Sequence, residues 1–259
     1  MDLGIAGRKA IICASSRGLG KACALALARE GCMVVINGRN AQALHAAAAE
    51  IAAVSGQPPV AVMGDVGTEA GRAALLAACP SPDILVTNNG GPAPGEAGQW
   101  DHATWIAAVE SNMLSGILLI QAVVPGMRER RFGRIVNITS AMVKSPKLML
   151  GLSTASRAGL TAFSKAMSNE VVRDNVTINN LLPERIETDR IGYMAGQLAQ
   201  RRQISQEQAR AELLKPVAAK RFGRPEEFAD ACAFLCSAQA GYISGQNLQV
   251  DGGSYEGLI

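Results

Sequence analysis

Short apolar runs alternate with helix-like segments along the chain. The runs that read as strands are Lys9–Ala14, Cys32–Ile36, Val60–Met63, Asp83–Thr87, Arg134–Ile138, Val176–Leu182 and Leu248–Val250. The helical segments between them include Leu19–Glu30, Ala41–Ala53, His102–Val124 and Thr154–Arg173. Short apolar strands separated by helices are typical of a parallel sheet that is covered on both faces. The pattern predicts an α/β fold of the Rossmann type, with a doubly wound parallel sheet of seven strands.

The chain reads as a single domain over residues 1–259. It has no shift in composition, no low-complexity linker and no internal repeat, and α/β folds of this size often form one unit. One segment, Glu187–Leu214, breaks the alternation because it is polar, helical in character and follows a turn that contains proline. We interpret it either as a small helical lid (about 187–214) over a cleft or as a surface insertion.

Composition excludes several classes of partner. The net charge is only +3, from 25 basic and 22 acidic residues, which argues against nucleic acid or an anionic membrane. The six cysteines form no CxxC pair and there are only two histidines. We therefore expect no metal site, and thiols that act as buried apolar groups in a reducing cytosol. The sequence shows no signal pattern and no uninterrupted apolar run of about 18 residues, so a cytoplasmic location without a membrane partner is predicted.

A glycine-containing turn follows the first predicted strand and opens the first helix. In this position the backbone N–H groups and the helix dipole favour a pyrophosphate. The context is the one that a dinucleotide-binding loop needs. The residues expected to bind the cofactor here are Ala14, Ser16, Arg17, Gly18, Leu19 and Gly20.

The end of the second predicted strand indicates which dinucleotide is bound. An NAD site usually has an acidic residue there for the ribose 2′-hydroxyl. This chain has Asn37-Gly38-Arg39-Asn40 instead, with Arg17 in the preceding loop. Two guanidinium groups suit a 2′-phosphate through charge-assisted, bidentate hydrogen bonds. The sequence therefore predicts NADP(H) as the cofactor, although Arg39 also fits an ordinary surface position.

Further motifs follow in a fixed order along the chain. They are Gly64-Asp65-Val66, Asn88-Asn89-Gly90-Gly91, Ser111-Asn112, Ile135–Ser140, Leu182–Thr188, Arg221–Glu227 and Gly245–Gly253. Together with the glycine loop they resemble the short-chain dehydrogenase/reductase family over nearly the whole chain. The likeness is strongest to 3-oxoacyl-acyl-carrier-protein reductases. Two departures are Ala14 for the first glycine of the loop and Glu184 for a glycine after Pro183.

The resemblance implies roles for individual residues. Asp65 and Val66 flank the adenine, Asn89, Gly90 and Gly91 line the cofactor after the fourth strand, and Pro183, Ile186 and Thr188 lie beside the nicotinamide. Ser140 hydrogen-bonds the substrate oxygen, and Asn112 supports backbone and water near the site. Ser140 and Asn112 also fit purely structural positions, because such side chains readily satisfy local backbone groups.

The family's working pair is a tyrosine and a lysine four residues later, and this sequence lacks both. Thirteen residues after Ser140 it has Ser153, and four residues further it has Arg157. Serine is a much weaker acid than tyrosine and is shorter by a whole ring. Arg157 does not release a proton at working pH, but its donors suit the ribose hydroxyls of the cofactor or an oxyanion. The catalytic tetrad is therefore atypical.

Two other groups are candidate proton donors. Lys144 lies in the loop that should border the cleft, and a lysine in a dry pocket near Arg157 would act as an acid near neutral pH. Tyr193 lies in the predicted lid. Lys144 also fits a solvated loop position, and Tyr193 a packing position in the lid.

We predict an NADPH-dependent oxidoreductase that transfers a hydride to a ketone or 3-oxoacyl thioester, with Ser and Arg replacing the usual pair. The alternative is an NADP(H)-binding protein with little or no redox turnover, acting as a sensor or partner subunit. Non-redox chemistry on the same scaffold is a weaker third reading. The resemblance implies a homotetramer or homodimer formed through His102–Val124 and Thr154–Arg173, although packing within one subunit explains the same apolar residues.

Overall fold

The computed structural model describes residues 2–258. The strands are β1 (Lys9–Ile12), β2 (Met33–Gly38), β3 (Val60–Met63), β4 (Ile84–Thr87), β5 (Gly133–Ile138), β6 (Val176–Pro183) and β7 (Asn247–Val250). The helices are α1 (Gly18–Arg29), α2 (Ala41–Ser55), α3 (Glu69–Ala78), α4 (His102–Val109), α5 (Ser115–Glu129), α6 (Gly151–Val171), α7 (Asp189–Arg202), α8 (Gln206–Leu214) and α9 (Pro225–Cys236). The predicted strands are all present, and their ends differ from the prediction by no more than two residues.

The strands form one parallel sheet in the order β3-β2-β1-β4-β5-β6-β7. The strand order reverses between β1 and β4. Connections from these two strands run to opposite faces of the sheet, so a crevice opens at their carboxyl ends. The predicted doubly wound α/β fold with a seven-stranded sheet is confirmed.

Alternate residues of the central strands point to opposite faces, and both faces are buried. Ala10 and Ile12 of β1 pack with α1, α2 and α9, whereas Ile11 packs with α3, α5 and α6. Because neither face meets water, the strands carry apolar residues at nearly every position. All six cysteines are free and buried, as predicted, and Cys23 on α1 and Cys232 and Cys236 on α9 belong to one core cluster.

A row of polar side chains crosses the otherwise apolar sheet. Thr87 Oγ1 donates to Asn137 Oδ1 over 2.6 Å, Asn137 Nδ2 donates to Asn180 Oδ1 over 2.9 Å, and Asn180 Nδ2 donates to Asn247 Oδ1 over 2.8 Å. These residues are register partners on β4, β5, β6 and β7. Each buried amide would be costly without a partner, so the row fixes the register of four strands just below their carboxyl ends.

The prediction of one continuous helix over His102–Val124 needs correction. A π-helical turn, Glu110–Leu114, separates α4 from α5, and the second part continues to Glu129. By length and mean hydropathy alone, the helical segment His102–Glu129 could cross a membrane, although it contains no uninterrupted apolar run of about 18 residues. The polar residues Glu110 and Asn112 interrupt the apolar residues of this segment. In its most apolar window 44% of the residues are buried, and α5 packs on the sheet and on α6, as the core helices of globular proteins do.

Helices α7 and α8 replace the predicted helical segment Glu187–Leu214. They form an apolar cluster of their own around Ala195, Ala209 and Leu213. This cluster is separate from the two larger ones that flank the sheet. The segment therefore packs as a small unit beside the carboxyl edge of the sheet, and its function as a lid stays a prediction.

Two helical glycines give opposite predictions for stability. An added Cβ at Gly71 would lie 2.0 Å from the Asp65 carbonyl oxygen, whereas at Gly192 it meets nothing within 4 Å. We expect Gly71→Ala to lower the free energy of unfolding by about 2 kcal/mol or more, since backbone must shift. We expect Gly192→Ala to raise it by up to about 1 kcal/mol through helix propensity. Urea unfolding followed by circular dichroism measures both, and shifts of the same sign would contradict this account.

Candidate active site

A cleft of about 1190 Å³ runs along the carboxyl ends of the strands. Its floor is built by the loop between β1 and α1, in which Ala14 and Gly18 have φ angles of 45° and 58°. Ser15 holds this loop, donating through Oγ to the Ile12 carbonyl over 2.7 Å. The positive φ at Ala14 occurs where the resemblance has a glycine, so this alanine pays a conformational cost that glycine would avoid.

Gly20 brings α1 close to the strand ends. A Cβ there would lie 2.4 Å from the Ala14 carbonyl oxygen and 2.9 Å from Asn88 Nδ2. Gly20 does not itself line the cleft. Its lack of a side chain lets α1 pack against the residues beneath the cleft. The close approach leaves the first turn of α1 pointing its N–H groups into the cleft, which is the arrangement that a pyrophosphate requires. The size of the cleft and this cradle fit a dinucleotide.

The end of the cleft beside β2 carries the predicted phosphate-binding arginines. Arg39 Nη1 lies 3.2 Å from Asp65 Oδ2, and Arg17 Nη1 lies 3.9 Å from Asp189 Oδ2. Both guanidinium groups are largely exposed. Asn37 fixes the loop between them: its amide donates to the Val62 and Gly64 carbonyls and accepts from the Ala14 N–H. Two cations and a rigid backbone thus meet where a ribose 2′-phosphate would be bound.

Most of the predicted site residues line this one cleft. They are Ala14, Ser16, Arg17, Gly18, Leu19, Arg39, Asp65, Val66, Asn89, Gly90, Gly91, Ser140, Ser153, Arg157, Pro183, Ile186 and Thr188. The predicted residues outside its lining are Gly20, Asn112 and Lys144. The structure therefore brings together side chains that lie up to 174 positions apart, from Ala14 to Thr188.

Asn112 lies behind the lining, in the π-helical turn. Its Nδ2 donates to the Ser111 hydroxyl over 2.7 Å and to the Gly90 carbonyl over 3.4 Å. Its Oδ1 is buried and has no hydrogen-bond partner among residues 2–258. A buried amide oxygen in this state is an acceptor for a bound water or ligand, which agrees with the supporting role that the resemblance implies.

Arg157 is the best-anchored group in the cleft. Its Nη1 donates to the Ile138 carbonyl over 2.7 Å, its Nη2 to the Asn89 carbonyl over 3.1 Å, and its Nε to Ser153 Oγ over 3.1 Å. These bonds tie α6 to the end of β5 and to the loop after β4. Burial, aided by the like charge of Arg190, lowers the pKa of Arg157 to about 10. The guanidinium is still a cation at neutral pH, and its acceptors are all neutral.

Two serine hydroxyls line the cleft next to this cation. Ser140 Oγ accepts the Met142 N–H over 3.2 Å, and Ser153 Oγ accepts Nε–H of Arg157. Because each oxygen is used as an acceptor, each O–H is left to donate into the cleft. Ser153 is polarised further by the positive charge behind it, which strengthens it as a donor.

Lys144 and Tyr193, the two alternative donors, are placed differently. Lys144 follows a 3₁₀ turn over Ala141–Val143, and its ammonium lies 5.4 Å from the centre of the Tyr255 ring. Its role as a proton donor stays a prediction that this placement outside the cleft lining does not support. Tyr193 lines the cleft on α7, with its ring 5.5 Å from the guanidinium carbon of Arg190, and its side chain is 44% exposed.

Comparisons with known proteins assign the chain to a family. The family described as enoyl-(acyl carrier protein) reductase matches residues 13–255. The NADPH-dependent reductase BacG of Bacillus subtilis is 31% identical over 256 residues, which cover 97% of this chain and 99% of BacG. The 3-oxoacyl-[acyl-carrier-protein] reductase FabG of Escherichia coli is 32% identical over 249 residues, covering 96% and 98%. The chain belongs to the short-chain dehydrogenase/reductase family.

A solved structure supports the same assignment. L-sorbose reductase from Gluconobacter frateurii, in complex with NADPH and L-sorbose, matches with a TM-score of 0.94 and 31% identity over the whole of both chains. The predictions of the family and of NADP(H) as cofactor are confirmed by these relatives, since BacG is named as NADPH-dependent and the sorbose reductase was solved with NADPH. The match also supports the single Rossmann-type fold.

Several residues that line the cleft of this dehydrogenase/reductase were not predicted. On the substrate side they are Met142, Leu150, Glu184, Arg190 and Met194. Only Glu184 carries a sequence signal, as a charged residue directly after a buried strand where the family motif has glycine. The others lie on turns and on α7, whose position over the cleft depends on contacts that no local pattern encodes.

Removing the Arg157 guanidinium should destabilise the protein. Arg157→Met leaves the Ile138 and Asn89 carbonyls without their donor, and buried acceptors without partners cost about 1–3 kcal/mol. We expect the free energy of unfolding to fall by about 2 kcal/mol, measured by urea titration. Arg190→Met is the matched control, because Arg190 is exposed and makes a single 3.3 Å bond to the Pro92 carbonyl. Equal losses of unfolding free energy in the two variants would show that the hydrogen bonds of Arg157 do not stabilise the fold.

Proposed function

We propose that this protein is an NADPH-dependent reductase of ketones in which Ser153 and Arg157 replace the tyrosine and lysine of its family. The hydrogen bond of 3.1 Å from Arg157 Nε to Ser153 Oγ carries the proposal. It holds a serine hydroxyl, backed by a buried cation, inside the cleft that also contains Ser140 and the dinucleotide cradle. The relatives named as reductases of 3-oxoacyl groups and of L-sorbose support a carbonyl substrate.

Bound NADPH supplies the hydride, and the chain's own residues handle the charge that develops on the substrate oxygen. The hydroxyls of Ser140 and Ser153 donate hydrogen bonds to this oxygen, and Arg157 stabilises its negative charge from behind. The oxygen takes a proton from the Ser153 hydroxyl, which regains one from water. Hydride and proton together convert the ketone to an alcohol. The hydroxyl is a weak acid, so this route relies on electrostatic stabilisation more than a tyrosine route does.

The cation pair near β2 is proposed to select NADPH over NADH. Arg39 and Arg17 would bind the 2′-phosphate, and the carboxylate of Asp65 orients Arg39 from the side. No acidic residue occupies the end of β2, where it would repel a phosphate.

Replacing Arg39 tests the choice of cofactor. We expect Arg39→Ala to raise the dissociation constant for NADPH about tenfold or more, because a charge-assisted phosphate contact is lost. The dissociation constant for NADH should change less than threefold. Fluorescence titration measures both, and Arg29→Ala, which removes an exposed arginine at the far end of α1, is the control. A change in NADPH affinity below threefold would remove Arg39 from the site.

Replacing Ser153 tests the proton route. We expect Ser153→Ala to lower kcat about a hundredfold, within the range for lost acid–base catalysts, with little change in the dissociation constant for NADPH. Thr154→Val is the control: it removes a neighbouring buried hydroxyl that has no partner among residues 2–258 and lies outside the cleft lining. Turnover that survives Ser153→Ala would transfer the donor role to another group, of which Tyr193 lines the cleft.

One assay separates the reductase from the alternative of a non-catalytic NADP(H)-binding protein. The purified protein is titrated with NADPH and NADH and then assayed on a panel of ketones and 3-oxoacyl thioesters. Tight NADPH binding without turnover on any of them would favour a sensor or partner subunit. Binding of neither nucleotide would overturn both proposals.

We further propose a cytoplasmic homo-oligomer, a tetramer or a dimer. The apolar segment His102–Glu129 leaves Ile106, Leu114 and Leu118 between 37% and 44% exposed in the single chain. A second copy packing on α4, α5 and α6 would cover this face. The modest net charge of +3 supports a small-molecule substrate rather than nucleic acid or an anionic membrane surface.

A further inference from the structure

Glu184 is a charged residue at the substrate end of the cleft with no part in the proposed hydride or proton route. It follows the last residue of β6, and its N–H donates to the Val250 carbonyl over 3.2 Å. The register pairs Ile138 of β5 with Leu181 of β6. Ser140 and Pro183 therefore leave the sheet side by side, and Glu184 stands next to the serine that is proposed to bind the reacting oxygen.

Glu184 lines the cleft, and its partly buried carboxylate has unused acceptor capacity. Its side chain is 11% exposed, and its Oε1 lies 3.9 Å from both Lys147 Nζ and Arg185 Nη2. Those distances are too long for hydrogen bonds. Within residues 2–258 no donor forms a hydrogen bond to either oxygen. A carboxylate that lines a cleft and receives no hydrogen bond from the chain is free to accept one from a ligand that donates.

The surrounding charges decide what kind of donor fits. Lys147 and Arg185 flank the carboxylate, and Arg157 and Arg190 line the same cleft. Within residues 2–258 the cleft lining has five arginines against three carboxylates, and Lys147 adds a further cation beside Glu184, so an ammonium group on a substrate would meet net repulsion. A neutral hydroxyl avoids that repulsion and makes a charge-assisted hydrogen bond to the carboxylate.

We propose that Glu184 binds a hydroxyl group of the substrate, next to the carbonyl that is held by Ser140. The substrate class is then a hydroxyketone rather than a plain ketone or an unsubstituted acyl chain. The apolar side chains of Met142, Leu150 and Met194 line the same cleft and suit the carbon chain of such a substrate. This inference rests on the proposed reductase function for the meaning of the carbonyl, but binding alone tests it.

The test compares two ketones that differ only by hydroxyl against methyl: 1-hydroxy-2-butanone and 3-pentanone. With NADPH present we expect the KM of the wild-type protein to be at least tenfold lower for the hydroxyketone. Glu184→Gln should bring the two KM values within threefold by weakening the hydroxyketone, while the KM for 3-pentanone stays nearly constant. Glu187→Gln is the control, because Glu187 lies in the same loop but pairs with Arg210 outside the cleft lining.

Calorimetry on the complex with NADP⁺ gives the same comparison as dissociation constants. If neither ketone is turned over but the Glu184-dependent preference appears in binding, the reductase proposal fails and the hydroxyl site stands. A wild-type protein without preference in either assay overturns the inference, whatever the variants do. A preference that persists in Glu184→Gln also overturns it. Should that variant fold poorly, Glu184→Asp, which keeps the charge but shortens the reach, should lose most of the preference.

Discussion

The site depends on one buried cation, Arg157, which has no anionic partner within the described residues 2–258. The Arg157 guanidinium gives up its hydration to bond two backbone carbonyls and one serine, and these charge-assisted bonds offset part of the desolvation cost. A guanidinium has its donors in a rigid plane. It therefore sets the spacing between α6, the end of β5 and the loop after β4. A lysine in its place would offer only one flexible nitrogen and could not fix all three.

Arg157 can form these hydrogen bonds because the strand ends that it contacts are already held in register. The hydrogen-bonded row from Thr87 through Asn137 and Asn180 to Asn247 spans four strands just below the cleft. A slip of one residue in any pair would leave buried amides without partners. Ser140 lies on the turn after β5, and Arg157 on α6 bonds the last carbonyl of that strand, so the proposed site gains precision from strand ends that this row fixes.

The sequence predicted the fold and most of the cleft because both follow from local patterns. Apolar runs identified the strands, and parallel strands place their carboxyl ends at one edge, so the turns after β1, β2, β4, β5 and β6 had to meet. What it missed depends on distant contacts. The 3₁₀ turn after Ser140 carries Lys144 toward Tyr255, which is 111 positions away. The π-helical turn around Asn112 interrupts a segment whose composition favours one unbroken helix.

The two unusual residues of the site are best understood as one change. The short side chain of Ser153 leaves space next to it on the same face of α6. The long side chain of Arg157, one turn later, donates a hydrogen bond to the Ser153 hydroxyl. A tyrosine restored at position 153 alone would contact the Arg157 guanidinium. In the family, the tyrosine is instead followed four residues later by a lysine with a slender ammonium group. In the proposed reductase the chain would thus exchange a stronger acid for a cation that is held more rigidly. In that reductase, Arg157 with Arg190 nearby would supply a positive potential where the oxyanion forms, and that potential would allow a weak hydroxyl donor to suffice.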